Sequence, residues 1–180
     1  MSRILFLSMP SETHMNPTLG LARELTSQGE DVVFFSSEEF KKSVQEAGAE
    51  FVAYKEDMNI SDAKQLRPTK FVDDVLSQTR AYKFDYIVYS EAYPFAGVIA
   101  RILDIPSVSS LAVFVPLKEL LKTEKQNGSN IRMGAFGKTS FIMDKLKKIK
   151  DDLVERYKSI VPEDISSLFY NKSKLDVVYG

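Results

Sequence analysis

Short apolar runs alternate with amphipathic stretches along most of this chain, and that alternation constrains its fold more than any other feature. Residues 3–7 (RILFL) are almost continuously apolar, as strands buried on both faces of a parallel sheet are. Residues 16–29 follow with apolar side chains at helical spacing, and residues 31–36 (DVVFFS) form a second run. The repeated order of strand and helix predicts an α/β fold, a parallel sheet with right-handed connections and helices on both faces.

The same pattern predicts the remaining elements. Asn16 is the expected N-cap of the first helix, Pro17 its first helical residue and Gly29 its C-terminal stop. Further strands are expected at residues 50–54, 85–89, 106–110 and 175–180, and further helices at residues 37–48, 68–83, 94–103 and 139–158.

Composition narrows the range of functions. The 180 residues suit one domain, residues 1–180, and the net charge of −1 gives no attraction to nucleic acid or to an anionic membrane. There is no cysteine, so disulfides, thiolate nucleophiles and cysteine-bound metals are excluded. No apolar stretch approaches the roughly 18 residues that span a bilayer. We expect a soluble, cytoplasmic protein.

The only histidine, His14, lies in the segment that joins the first strand to the first helix. In an open α/β sheet, ligands bind in the crevice beyond the carboxyl ends of the strands. His14 is therefore the one side chain with an ordinary pKa near neutrality at a place where chemistry is expected. A core or surface role is the alternative for a lone histidine.

Several familiar catalytic motifs are missing from the sequence. No G-x-G-x-x-G or G-x-x-x-x-G-K-[ST] follows the first strand, and there is no G-x-S-x-G. With one histidine and no cysteine, no metal site is expected. The lysine-rich residues 145–150 are interrupted by apolar residues at helical spacing, which favours a solvated helix face over a phosphate site. What remains is His14 as a possible general base.

Residues 3–25 (RILFLSMPSETHMNPTLGLAREL), with the histidine in a His-x-Asn-Pro pattern, resemble the start of macrolide-type UDP-glycosyltransferases of the GT-B, family-1 class. Gly29 and the strand that follows it fit the same pattern. Residues 85–89 (DYIVY) and 102–106 (ILDIP) are similar to a second landmark of that family.

The resemblance implies a fold of two Rossmann-like halves that face each other across a cleft. The N-terminal half binds the acceptor and carries the base, and the C-terminal half binds the UDP-sugar. Residues 1–180 would be the acceptor-binding half, without the UDP-sugar-binding half and inactive alone. No cofactor is implied beyond the UDP-sugar donor.

The resemblance also assigns site residues. His14 would take the proton from an acceptor hydroxyl as it attacks the anomeric carbon, with inversion. The aspartate that usually orients the histidine falls at Ser90, next to Glu91, so both are candidate catalytic residues. The expected acceptor-binding residues are mainly apolar or aromatic: Met9, Met15, Phe71, Val75, Tyr93, Phe114, Met133, Phe136 and Phe141. Ordinary core packing is the alternative for each of them.

Two functions remain open at this stage. The first is the acceptor-binding half of an inverting glycosyltransferase. The second is a non-catalytic module derived from such a half, which holds a ligand or pairs with a separate subunit. The expected partners are a small hydrophobic acceptor and either a C-terminal GT-B half or a second copy of the chain, with no nucleic acid and no membrane.

Overall fold

The computed structural model describes residues 1–56, 68–90, 93, 95–111, 147–158 and 175–178. Six parallel strands form one sheet, in the order β3-β2-β1-β4-β5-β6. This is the strand order of the doubly wound Rossmann fold. The α/β prediction is confirmed.

The strands are β1 (Arg3–Leu7), β2 (Asp31–Ser36), β3 (Glu50–Ala53), β4 (Tyr86–Ser90), β5 (Ser107–Leu111) and β6 (Leu175–Val178). The helices are α1 (Glu12–Ser27), α2 (Lys41–Glu46, preceded by the 3₁₀ turn Glu38–Phe40), α3 (Pro68–Thr79), α4 (Ala96–Leu103) and α5, the helical residues 147–157.

Helices cover both faces of the sheet. On one face, Met15 and Leu19 of α1 and Val44 of α2 pack against Phe6 and Phe34. The opposite face packs against α3, α4 and α5. The buried cluster between them includes Leu5, Leu7, Val33, Phe35 and Ile87 of the sheet and Phe71, Val75, Ile99 and Leu153 of the helices. The strands are apolar almost throughout because both of their faces are buried.

Helix α1 begins earlier than its sequence indicated. The prediction of Asn16 as N-cap and Pro17 as the first helical residue is wrong: Ser11 is the N-cap, and Pro17 lies inside the helix. The Thr18 hydroxyl donates to the His14 carbonyl at 2.6 Å, and Met15 is completely buried. Packing of the first turn outweighs the hydrogen bond that a proline removes. As a result, His14 lies in the first helical turn and not in the loop before it.

The other predicted boundaries that fall on described residues are within a few residues of the observed ones, and the predicted start of the last helix, residue 139, lies outside the described residues. Gly29 follows the end of α1 with a φ of +87°, the left-handed conformation of a helix stop. Helix α4 begins at Ala96, and its N-cap Phe95 also has a left-handed backbone, with a φ of 65°. A bulky residue adopts that conformation only where its surroundings enforce it, and Phe95 is fully buried.

Candidate functional site

The candidate site lies at the carboxyl edge of the sheet, between β1 and β4. These strands are neighbours, but α1 follows β1 onto one face and α4 follows β4 onto the other. This is the topological switch point of the sheet, the place where open α/β sheets generally bind their ligands. The residues that end β1 and β4 therefore form the floor of the expected ligand site.

His14 stands at this switch point. The Ser11 carbonyl accepts hydrogen bonds from the His14 amide at 3.0 Å and from the Met15 amide at 2.8 Å, which begins the helix. The His14 carbonyl accepts hydrogen bonds from the hydroxyls of Thr18 at 2.6 Å and Ser8 at 3.3 Å. The residue is half-buried, with its Nδ1 atom buried. Its backbone is therefore held both by Ser8, the residue after β1, and by the first turns of α1.

Four serines form a row across the carboxyl edge, one for each of four neighbouring strands. Leu7 pairs with Phe35 of β2 and with Tyr89 of β4, so the residues that follow these three lie side by side. Ser90 also pairs with Ser110 of β5. In strand order, the serine row consists of Ser36, Ser8, Ser90 and Ser110.

The serine row faces α1. The residues two positions earlier on the same strands include Phe34, Phe6 and Val88, which belong to the cluster under α1. Side chains alternate along a strand, so the serines point to that same face. All four are 0–1% exposed. Because these side chains are small, the first turn of α1 can approach the edge of the sheet closely.

Ser90 occupies the position that the resemblance gives to an aspartate. Its Oγ atom is buried and makes no hydrogen bond within the part of the chain that the structure describes. The Ser90 hydroxyl therefore does not bond to the His14 ring in this conformation. Active-site hydrogen bonds often form only once the substrate is bound, so the geometry leaves its predicted role untested.

Two stacked tyrosines lie beside the switch point. The rings of Tyr54, just after β3, and Tyr93, just after β4, have centroids 5.9 Å apart at an interplanar angle of 25°. The Tyr54 hydroxyl donates to the Ser8 carbonyl at 3.1 Å. Burial raises the pKa of both hydroxyls, and the neighbouring Tyr93 raises that of Tyr54 further. Both are therefore neutral at physiological pH.

A buried carboxylate supports Tyr54 from α3. Asp74 is 6% exposed, and its Oδ2 atom accepts hydrogen bonds from the backbone amides of Lys55 at 2.8 Å and Glu56 at 3.3 Å. The Gln78 side chain donates to the other oxygen at 2.8 Å. These bonds fasten the segment after β3 to α3.

Sequence reasoning did not identify Tyr54 or Asp74. The signal for Tyr54 was its position directly after a strand, where the carboxyl edge of the sheet lies. The signal for Asp74 was a carboxylate between Val72 and Val75 on the apolar side of α3. A charge at such a position indicates a buried partner.

The predicted acceptor residues are distributed over both faces of the sheet. Phe71, Val75 and Tyr93 are 0–6% exposed in the cluster under α3 and α4, and Met15 is completely buried on the α1 face. Met9 is only partly buried. Their contact with a ligand stays a prediction. The other predicted site residues, Glu91, Phe114, Met133, Phe136 and Phe141, lie outside the described residues.

Among the described residues, no group of three or more histidine, cysteine, aspartate or glutamate residues could hold a metal ion. No helix in the same part of the chain is long and apolar enough to cross a membrane.

No protein-family model matches the chain. Individual proteins do. The chain is 28% identical to the uncharacterized UDP-glucosyltransferase YdhE of Bacillus subtilis (strain 168), over 99% of its own length and 47% of that protein. It is 41% identical over 64 residues to the NDP-glycosyltransferase YjiC of the same organism, which covers 36% of this chain and 16% of YjiC.

The fold is shared with solved glycosyltransferase structures. The calicheamicin glycosyltransferase CalG4 superposes with a TM-score of 0.68 at 21% identity, over 99% of this chain and 48% of CalG4. The chain thus spans about half the length of the relatives that it matches over nearly its full length. These findings confirm the resemblance inferred from residues 3–25.

Proposed function

Because the chain has the fold of about half of a GT-B glycosyltransferase, we propose that it binds the acceptor in such an enzyme. The reaction transfers a sugar from a UDP-sugar to a hydroxyl of a hydrophobic small molecule, with inversion, and His14 is the general base. The UDP-sugar is bound mainly by a second, C-terminal half.

The observation that carries the proposal is the position of His14. The only histidine in the chain is held in the first turn of α1, at the switch point where a ligand crevice is expected. A neutral imidazole within hydrogen-bond reach of the acceptor hydroxyl takes its proton while the oxygen forms a bond to the anomeric carbon. The bond from that carbon to the UDP oxygen breaks on the opposite side, so UDP leaves as the configuration inverts.

Ser90 makes this site unusual. The serine hydroxyl can accept a hydrogen bond from the imidazole, but it has no charge to stabilise the imidazolium that forms. In the serine-hydrolase triad, loss of the corresponding charge lowers turnover by about 10⁴. We therefore propose a slow enzyme whose base acts with a neutral partner.

The test is a chimera in which this chain replaces the matching 47% of YdhE. UDP-glucose serves as the donor, and a panel of apolar compounds with free hydroxyls as acceptors. We expect His14→Ala to lower kcat by about 10²–10⁴, the usual contribution of a general base. Ser90→Asp should raise kcat by restoring a charged partner. Glu12→Ala, an exposed change in the same helical turn, is the matched control and should have little effect.

Indifference of the active chimera to His14→Ala would show that the histidine is not the base. A chimera that binds an acceptor and forms no product would favour the second candidate, a non-catalytic module that holds a ligand or pairs with another subunit. The observation that favours that candidate is the Ser90 hydroxyl, which is neutral and makes no hydrogen bond among the described residues. The DNA downstream of codon 180 separates the two in another way, since an open frame into a UDP-binding half favours the enzyme. A cytoplasmic location stays a prediction.

A further inference from the structure

Tyr54 connects the two faces of the sheet at the candidate site. Its ring belongs to the cluster under α3 and α4, where it stacks on Tyr93 and lies 6.0 Å from the Phe35 ring. Its hydroxyl nevertheless reaches the Ser8 carbonyl, at 3.1 Å. Ser8 is the first residue of the segment that leads from β1 into α1 on the opposite face. The hydrogen bond therefore restrains the connection that carries His14.

Tyr54 has little freedom to move. Its backbone amide donates to the Ser36 carbonyl at 3.0 Å, which extends the pairing of β3 with β2. The two residues that follow donate their amides to the buried carboxylate of Asp74 on α3. Hydrogen bonds to a charged acceptor are the stronger kind. The backbone at Tyr54 is therefore held by β2 and by α3, and its ring is held by the rings of Phe35 and Tyr93.

The restraint continues from Ser8 to His14. The Ser8 side chain is completely buried, and its hydroxyl lies 3.3 Å from the His14 carbonyl. A continuous path of contacts thus runs from Asp74 through residues 54–56 and Ser8 to the first turn of α1. Helix α3, at one end of this path, also carries Phe71 and Val75, which are predicted to contact the acceptor.

We propose that Tyr54 is a positioning residue for His14, and that Asp74 supports it from α3. The Tyr54 hydroxyl sets the place of the β1–α1 connection and, through it, of the imidazole. A consequence is that a displacement of α3 by an acceptor changes the position of the base. The effect on catalysis rests on the proposed function of His14, whereas the structural coupling does not.

The coupling can be measured without any activity. Because the chain has one histidine, its ring protons give a single, unambiguous pair of signals in an NMR spectrum. Tyr54→Phe removes one hydroxyl and keeps the ring. Tyr82→Phe is the matched control, since the Tyr82 hydroxyl donates to Glu50 at 2.6 Å at the opposite, amino edge of the sheet.

We expect Tyr54→Phe to shift the His14 ring signals and Tyr82→Phe to leave them in place. Asp74→Asn provides a second route, because it weakens the support of residues 55 and 56 and leaves the Tyr54 ring untouched. It should shift the same signals in a folded chain even where Tyr54→Phe does not fold. Equal, negligible shifts in Tyr54→Phe and Tyr82→Phe would overturn the inference.

The YdhE chimera supplies the catalytic readout. Loss of one positioning hydrogen bond should lower kcat by about ten-fold, with KM nearly unchanged, because the acceptor contacts remain. A rise in KM at constant kcat would contradict a positioning role and make Tyr54 an acceptor-binding residue. The result for His14→Ala tests the base independently, so failure of one proposal is distinguishable from failure of the other.

Discussion

At the level of single residues, the burial of the serine row makes the stability of Ser90→Asp a test of whether residue 90 lies close to His14. An aspartate there would lie in a place where all four serine side chains are 0–1% exposed. A buried carboxylate is costly unless a cation or several hydrogen-bond donors face it. The substitution therefore destabilises the fold unless the imidazolium of His14 is near enough to pair with it. A gain in turnover with little loss of stability would place the two side chains together.

The two stacked tyrosines should make the folded chain sensitive to alkali. Burial raises the pKa of both hydroxyls above the ordinary value of 10.0. Above about pH 10, the unfolded chain releases these protons and the folded chain keeps them, so stability is complete below that pH and falls as pH rises. The slope is about 1.4 kcal/mol per pH unit for each tyrosine. Urea unfolding at a series of pH values from about 9 to 11.5 measures it.

Tyr93→Phe should make this slope shallower by the contribution of one tyrosine. Tyr86→Phe is the comparison. Burial also raises the pKa of the Tyr86 hydroxyl, but Tyr86 is only partly buried. Identical slopes for the wild-type chain and Tyr93→Phe would show that the Tyr93 hydroxyl ionises as readily in the folded chain as in the unfolded one.

At the level of elements, the start of α1 shows where sequence patterns mislead. Asn16 and Pro17 have the composition of a helix start, and local preference alone places them there. The observed start at Glu12 depends on contacts that the local sequence does not display. These are the burial of Met15 against the sheet and the hydrogen bond that Ser8, the residue after β1, donates to the His14 carbonyl.

The packing of α5 against the rest of the chain has a polar and an apolar contribution to the free energy of unfolding, and the two can be measured separately. Arg156 and Tyr157 both bind the Asp73 carboxylate, with Nη2–Oδ2 at 2.6 Å and the tyrosine hydroxyl 2.5 Å from Oδ1. Since Arg156 and Asp73 are about half exposed, Asp73→Ala should cost about 1 kcal/mol. Leu153 is completely buried, so Leu153→Ala should cost about 2–5 kcal/mol.

Urea unfolding of both variants measures the difference, and the exposed neighbour Val154→Ala is the matched control on the same helix. We expect the order Leu153→Ala, Asp73→Ala, Val154→Ala from the largest loss to the smallest. A larger loss for Asp73→Ala than for Leu153→Ala would mean that the carboxylate cluster, and not the apolar face, holds α5 in place.

At the level of the whole molecule, the sequence pattern predicted the parallel α/β sheet, whereas it predicted the contacts around the site only in part. Apolar runs separated by helical stretches indicate a parallel doubly wound sheet, and its switch point then places His14 beyond the end of β1. The link from Asp74 through Tyr54 to Ser8 could not be predicted, because it joins residues from three separate elements. The register of β1, β2 and β3 brings Ser8 and Tyr54 to one edge of the sheet, and α3 brings Asp74 to the same place.

The whole chain should bind an acceptor but transfer no sugar by itself. Its sequence contains no glycine-rich phosphate loop, and Lys147 and Lys148 are exposed on the surface of α5, as a solvated helix face would have them. Calorimetry should therefore detect no binding of UDP, and mass spectrometry no glycosylated product from UDP-glucose and the acceptor panel. The YdhE chimera, under the same conditions, is the positive control. Product formed by the chain alone, and lost in His14→Ala, would show that these 180 residues contain a complete donor site. The division of acceptor and donor between two halves would then be wrong for this protein.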